Sequence, residues 1–157
     1  MNIFILDNDP ELAAVYQADK HVVKMVLESA QMLCAAFPQG EAPYRRTHLN
    51  HPCTVWSRTC RTNYEWLLEH ADSLAAEYTR RYSKTHKSTA VIDWCRENAD
   101  TIDFIEPETD YLTPFAQAMP DQYKNADAVV AYREYYRSEK KDIATWRRSP
   151  DGKPEWF

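Results

Sequence analysis

Two long stretches of this chain place apolar side chains at helical intervals, and that spacing restricts it to a mainly α fold. In the second stretch Trp56, Cys60, Tyr64, Leu67, Ala71, Leu74 and Tyr78 step by three or four residues, the repeat of one helix face. A helix is expected there from about Asn50 to Tyr82. In the first, Asp9 and Pro10 suit an N-cap and a first helical position, and Pro38 marks the end. A helix over Glu11–Phe37 follows. Shorter helices are expected over Thr89–Ala99, after Ser88 as cap, and over Ala128–Trp146, after Asp127 as cap. "TPFAQAMP" (Thr113–Pro120) reads as one or two helical turns. "NIFIL" (Asn2–Leu6) reads as a short extended segment. With 157 residues the chain suits one compact helical bundle with its own core, spanning residues 1–157.

Composition removes several function classes. The only glycines are Gly40 and Gly152, which disfavours a phosphate-cradling loop or a dinucleotide-binding fingerprint. Net charge is −5, so binding to nucleic acid must rest on local basic patches. Cys34, Cys53, Cys60 and Cys95 form no CxxC pair and no signal peptide precedes them. The thiols are expected to be reduced, in an intracellular, cytoplasmic protein. No apolar run approaches the roughly 20 residues of a membrane span. A monomer is expected.

The first long segment carries an unusual polar line. On a helix, Gln17, His21, Lys24, Glu28 and Gln31 fall within an arc of roughly 80°. From Val22 onward most other positions are apolar, as in a buried helix. The line reads either as a solvated face, with Lys24 and Glu28 an ordinary i, i+4 pair, or as one wall of a cleft. A carboxylate, an imidazole and an ammonium in a partly buried row suit acid–base chemistry. Nearby, "YRRTHLNHPCTVW" gathers Arg45, Arg46, His48 and His51. Arginine suits bidentate phosphate contacts. A metal site from His48, His51 and Cys53 fits no standard spacing and lacks carboxylate neighbours. The tyrosines of "YREYYRSEKK" read as a helix-packing interface or as base-stacking groups.

"DKHVVKMVLESAQML", "THLNHPCTVW" and "LTPFAQAMPDQYKNADAVVAYREYY" resemble small phage proteins related to the pyrimidine-dimer DNA glycosylase (endonuclease V) family. The likeness rests on Ala18-Asp19-Lys20-His21 followed by Glu28, and on His51 ahead of Trp56. It implies a mostly helical domain that needs no metal or other cofactor and acts on double-stranded DNA. In such enzymes an N-terminal amine attacks C1′ of the damaged nucleotide, the base leaves, an imine forms, a glutamate assists, and β-elimination nicks the strand. Glu28 stands at the matching position. Asn2 is too large for efficient removal of Met1, so the free amine is that of Met1 unless Lys20 or Lys24 replaces it. An α-amino group is substantially neutral near pH 8 and can act as a nucleophile.

The resulting expectation is a DNA glycosylase with lyase activity. Glu28, His21, Lys24 and Met1 would be its reactive groups. Gln17, Lys20, Gln31, Arg45, Arg46, His48, His51 and Arg58 would line the substrate. Two alternatives stay open: a nucleotide or modified-base enzyme using the same cleft, and a non-enzymatic phage protein that binds a host partner through its last helix and "KPEWF".

Overall fold

The computed structural model describes residues 1–157 and contains six α-helices and no strand. They are α1 (Pro10–Val15), α2 (Asp19–Cys34), α3 (Pro52–Ser57), α4 (Arg61–Tyr82), α5 (Thr89–Glu97) and α6 (Ala128–Glu139), with 3₁₀ turns at Ala99–Thr101 and Asp121–Tyr123. The mainly α expectation holds. Helix α4 is the central post. Its Tyr64, Leu67, Ala71 and Leu74 are fully buried, and α1, α2 and α5 all pack on it. One cluster of 33 buried apolar residues joins these helices to α6 and to the N-terminal segment. All four cysteines are free and buried. No helix is long and apolar enough to cross a membrane.

Both long helices are broken, and in each case distant partners replace the lost helical hydrogen bonds. The expected Glu11–Phe37 helix stops at Tyr16 and restarts at Asp19, with Ala18 extended (φ −63°, ψ 155°). Arg81, buried on α4, donates to the carbonyls of Val15 (2.8 Å) and Gln17 (2.9 Å). The Ala18 N–H goes to the Tyr136 hydroxyl (3.1 Å) and the Asp19 N–H to the Thr145 carbonyl (2.7 Å). Every peptide group at the break is paired, as a buried backbone requires. Arg81 also bonds Glu77 Oε1 (2.6 Å) and Asp19 Oδ1 (3.1 Å), so its buried charge is doubly compensated.

The expected Asn50–Tyr82 helix breaks at Arg58–Cys60. There the N–H groups of Ile105 and Glu106 bond the carbonyls of Arg58 (3.2 Å) and Thr59 (2.7 Å). Asn63 Nδ2 takes the Trp56 carbonyl (2.9 Å). The acidic segment after α5 is thereby tied to the break.

Asp9 and Asp127 cap as expected, accepting from Glu11 and Leu12 N–H and from Val129 and Val130 N–H. Ser88 does not cap by its side chain, which instead meets the Tyr44 hydroxyl (3.0 Å). Helix α6 ends at Glu139 rather than Trp146. Asp19 captures Thr145 Oγ1 and the Arg148 N–H, and Trp146 turns inward to donate to the Tyr16 carbonyl (3.0 Å). Thr113–Pro120 forms no helical turn, because side chains take its peptide groups. Tyr132 meets Ala116 and Ala118, Trp56 Nε1 donates to the Thr113 carbonyl (3.3 Å), and Asn63 Oδ1 accepts the Thr113 N–H (3.0 Å).

The segment Asn2–Leu6 is buried throughout but is not simply extended. Phe4 is left-handed (φ 58°), a conformation that is uncommon for a bulky residue. Its ring lies 4.6 Å from that of His21, stacked, and edge-on to Tyr136 at 5.4 Å. These contacts hold the strained turn in place.

Candidate active site around Glu28

Glu28 lies two turns along α2 from His21, and only 7 % of its surface is exposed. Three nitrogens converge on its carboxylate. The Asn2 backbone N–H donates to Oε2 at 3.0 Å, the Met1 amine lies 3.7 Å from Oε2, and Lys24 Nζ lies 3.2 Å from Oε1. A buried carboxylate needs such partners. The two cations differ in setting: the Lys24 side chain is 66 % exposed, while the Met1 terminus is held against the protein. An ion pair with so exposed a lysine adds little to stability.

Asn2 seats this terminus. Its Nδ2 donates to the Ala118 carbonyl (2.9 Å). Its Oδ1 accepts from the Ile3 N–H (2.8 Å) and from the Tyr132 hydroxyl (2.9 Å), and the Cys53 thiol approaches at 3.9 Å. Burial pushes the Cys53 thiol up to about 11, so it stays a neutral donor. Residue 2 is thus pinned to α3, to α6 and to the irregular segment between α5 and α6.

His51 stands near the pair. Its Nδ1 accepts the Cys53 N–H (3.2 Å) and caps α3. Its pKa is lowered, first by burial, then by the positive charges of the N-terminus and His48, with Glu28 acting in the opposite direction. It therefore lies within the electrostatic reach of both Met1 and Glu28. Lys20 is exposed and Gln31 half-buried on α2. With the exposed Val23, Lys24 and Leu27 they form the outer face of the helix beside the site.

Several expected site residues have other work. Gln17 is not on the α2 face at all. The break at Ala18 turns it inward, where it is fully buried. Its Nε2 lies 3.2 Å from the Ile3 carbonyl and 3.2 Å from His70 Nε2, out of reach of any substrate. His21 is also buried and faces the core, hydrogen-bonded through Nδ1 to the Tyr136 hydroxyl. Burial lowers its pKa to about 4, helped by Lys140 and Lys24, so it is neutral and supports Phe4 from below. Arg58 donates to the Leu49 carbonyl (3.0 Å) and Arg46 to the Ala35 carbonyl (3.3 Å), fixing the loop between α2 and α3. His48 is exposed, with a left-handed backbone (φ 51°) and a bond to Thr47 Oγ1 (2.7 Å). Arg45 is exposed on the same loop.

No three His, Cys, Asp or Glu side chains converge as metal ligands. Clefts of about 310–730 Å³ lie against the C-terminal tail, between α1 and α4, and on the faces of α3, α6 and α4–α5. None of these is lined by Met1 or Glu28.

The family model described as pyrimidine dimer DNA glycosylase matches residues 1–90, more than half the chain and the part that carries Met1, Asn2, Lys24, Glu28 and His51. The chain belongs to the pyrimidine dimer DNA glycosylase family. No curated protein and no solved structure matches it. Membership makes this a DNA glycosylase-like protein at the level of the family. The resemblance seen in "ADKH", Glu28 and His51 falls within the matched region. Asn2, Tyr132, Arg81 and His70 were not legible as parts of this architecture. Asn2 carries no charge and sits in an apolar run, and the others lie far along the chain from what they hold.

Proposed function

We propose that this protein removes damaged pyrimidines from double-stranded DNA through an imine intermediate, with the Met1 amine as nucleophile and Glu28 as acid/base. One observation carries the reading: in the family-matched part of the chain, a primary amine at the N-terminus is held 3.7 Å from a nearly buried carboxylate.

The chemistry follows from that pair. The neutral amine forms a bond to C1′ of the damaged nucleotide as the bond from C1′ to the base breaks, and the base leaves with a proton. Loss of a proton from nitrogen, with opening of the sugar ring, gives the imine. Glu28 accepts protons, including the one on C2′, whose removal expels the 3′ phosphate and nicks the strand. Its negative charge also favours the cationic character that develops at the sugar. Lys20 on the outer face of α2 and Arg45 on the following loop are exposed and can meet phosphates, with Lys24 beside them paired to Glu28. Glu28 sits beside the exposed outer face of α2 (Lys20, Val23, Lys24, Leu27) and does not line any of the five clefts described above, which favours a large substrate over a free nucleotide. In the "KPEWF" tail the two aromatic rings pack on the fold, Phe157 against Trp146 at 4.7 Å and Trp156 against Tyr16 at 6.0 Å, while Lys153 and Glu155 are exposed.

The test is borohydride trapping on UV-irradiated, untreated and abasic-site duplexes. A covalent adduct with irradiated DNA, reduced about 100-fold or more in Glu28→Gln, is expected. No adduct and no nicking on irradiated duplex would remove the proposed activity.

A further inference from the structure

Two amines flank Glu28, one on each carboxylate oxygen, and only one can be the nucleophile. We infer that Asn2 is the positioning residue that selects the Met1 amine over Lys24, an assignment that rests on the imine reading above. Asn2 acts twice on the same atom. Its bulk next to the initiator keeps Met1 in place, so the reactive nitrogen is one residue further out than the peptide nitrogen bonded to Glu28. Its side chain then fixes where that nitrogen points.

The geometry is specific. The Asn2 amide uses both ends, Nδ2 on the Ala118 carbonyl and Oδ1 on Tyr132 and the Ile3 N–H, so its plane cannot rotate without breaking bonds on two sides. Tyr132 is itself fully buried on α6, and its hydroxyl also accepts the Ala118 N–H (3.1 Å). The Asn2 N–H then lies on Glu28 Oε2 at 3.0 Å. This leaves the Met1 amine one peptide unit away, at the same oxygen. Lys24 has no such anchor. Its only fixed partner is Glu28 Oε1, and its side chain is largely in solvent. A nucleophile held in one place reacts faster than one that samples many, and a displacement of about 1 Å can change a rate by about 100-fold. Amine selection is therefore set by residue 2 and by α6, not by the ordering of Lys24.

The experiment compares wild type, Asn2→Leu and Tyr132→Phe, each confirmed by intact mass to begin at Met1 and by thermal melting to be folded. Each is trapped with borohydride on an abasic-site duplex, and the adduct is mapped to Met1 or Lys24 by peptide mass spectrometry. Wild type is expected to label at Met1. In Asn2→Leu, labelling at Met1 should fall about tenfold or more and the share at Lys24 should rise. Tyr132→Phe, which removes the α6 hydroxyl from Asn2 Oδ1 and leaves the Ile3 N–H there without changing residue 2, should move the ratio the same way by a smaller factor, and it serves alone if Asn2→Leu does not fold. General destabilisation would lower both adducts together and leave their ratio unchanged. That result, or a wild-type adduct chiefly at Lys24, overturns the assignment while the imine reading stands. A wild type that forms no adduct overturns the imine reading itself, and this assignment with it.

Discussion

Acid should unfold this protein through its buried histidines, and the size of the effect can be worked out. His70 is fully buried on α4, with Nδ1 2.9 Å from the Pro10 carbonyl and Nε2 3.2 Å from Gln17 Nε2. That pairing needs a neutral ring with the proton on Nδ1. Burial lowers its pKa to about 4, against weaker raising effects from the Pro10 and Ile3 carbonyls, and His21 is lowered to about 4 as well. Both values lie below the 6.5 of an unfolded chain. Between those limits the unfolded state binds protons that the folded state refuses, so stability falls as pH falls. From pH 7 to pH 5 each histidine should remove about 2 kcal/mol, or about 4 kcal/mol together. His51 and His86 are displaced in the same direction by burial and add to the loss. The assay is urea unfolding followed by tryptophan fluorescence at both pH values, on wild type and His70→Gln. The variant should lose about 2 kcal/mol less than wild type between pH 7 and pH 5. Equal stability at pH 7 and pH 5, or a loss that His70→Gln leaves untouched, would refute the argument.

Arg81→Met should destabilise the fold by about 3–5 kcal/mol in chemical denaturation, because the buried Asp19 would lose its cation, Glu77 would keep only Arg80, and the Val15 and Gln17 carbonyls would lose their donor. Adding one residue ahead of Met1 turns the proposed nucleophile into an amide and moves the α-amine one residue outward; trapping on irradiated DNA should fall sharply while the melting temperature stays near that of wild type, and an undiminished adduct mapped to Lys20 or Lys24 would overturn the role of Met1. Asp127→Ala removes the side chain that accepts from Val129 and Val130 at the start of α6 and should lower stability by about 1 kcal/mol, measured by the same unfolding titration.

What the sequence made legible was local. Asp9 and Asp127 declare their caps within three residues of the groups they serve, and the spacing from Trp56 to Tyr78 shows the buried face of α4 directly. Glu28 stood out because a carboxylate among Val, Met and Leu has to be explained. The breaks at Ala18 and at Arg58–Cys60 were not legible, since nothing near them breaks a helix. The partners that open them are Arg81, Tyr136, Thr145, Ile105 and Glu106, tens of residues away or more. Reading Glu11–Phe37 as one unbroken helix carried Gln17 onto the wrong face. His21 failed differently. Its position on α2 was right, but its direction is set by Phe4 and Tyr136, which periodicity cannot see.

The seat of Asn2 also orders the assembly of the molecule in time. The N-terminus is the first part of the chain to be synthesised, yet two of the groups that hold it, Ala118 and Tyr132, belong to the final third. The same is true of the Ala18 N–H, which waits for Tyr136. A nascent chain ending at residue 90 already contains the whole family match, Met1 and Glu28 included, and the Glu28 carboxylate that accepts the Asn2 N–H, but it lacks Ala118 and Tyr132, which hold the two ends of the Asn2 side-chain amide. Closure over so long a loop is slow relative to local helix formation. The reactive end should therefore stay loose until α6 has been made and docked, so that this protein acquires its proposed chemistry only with its final third.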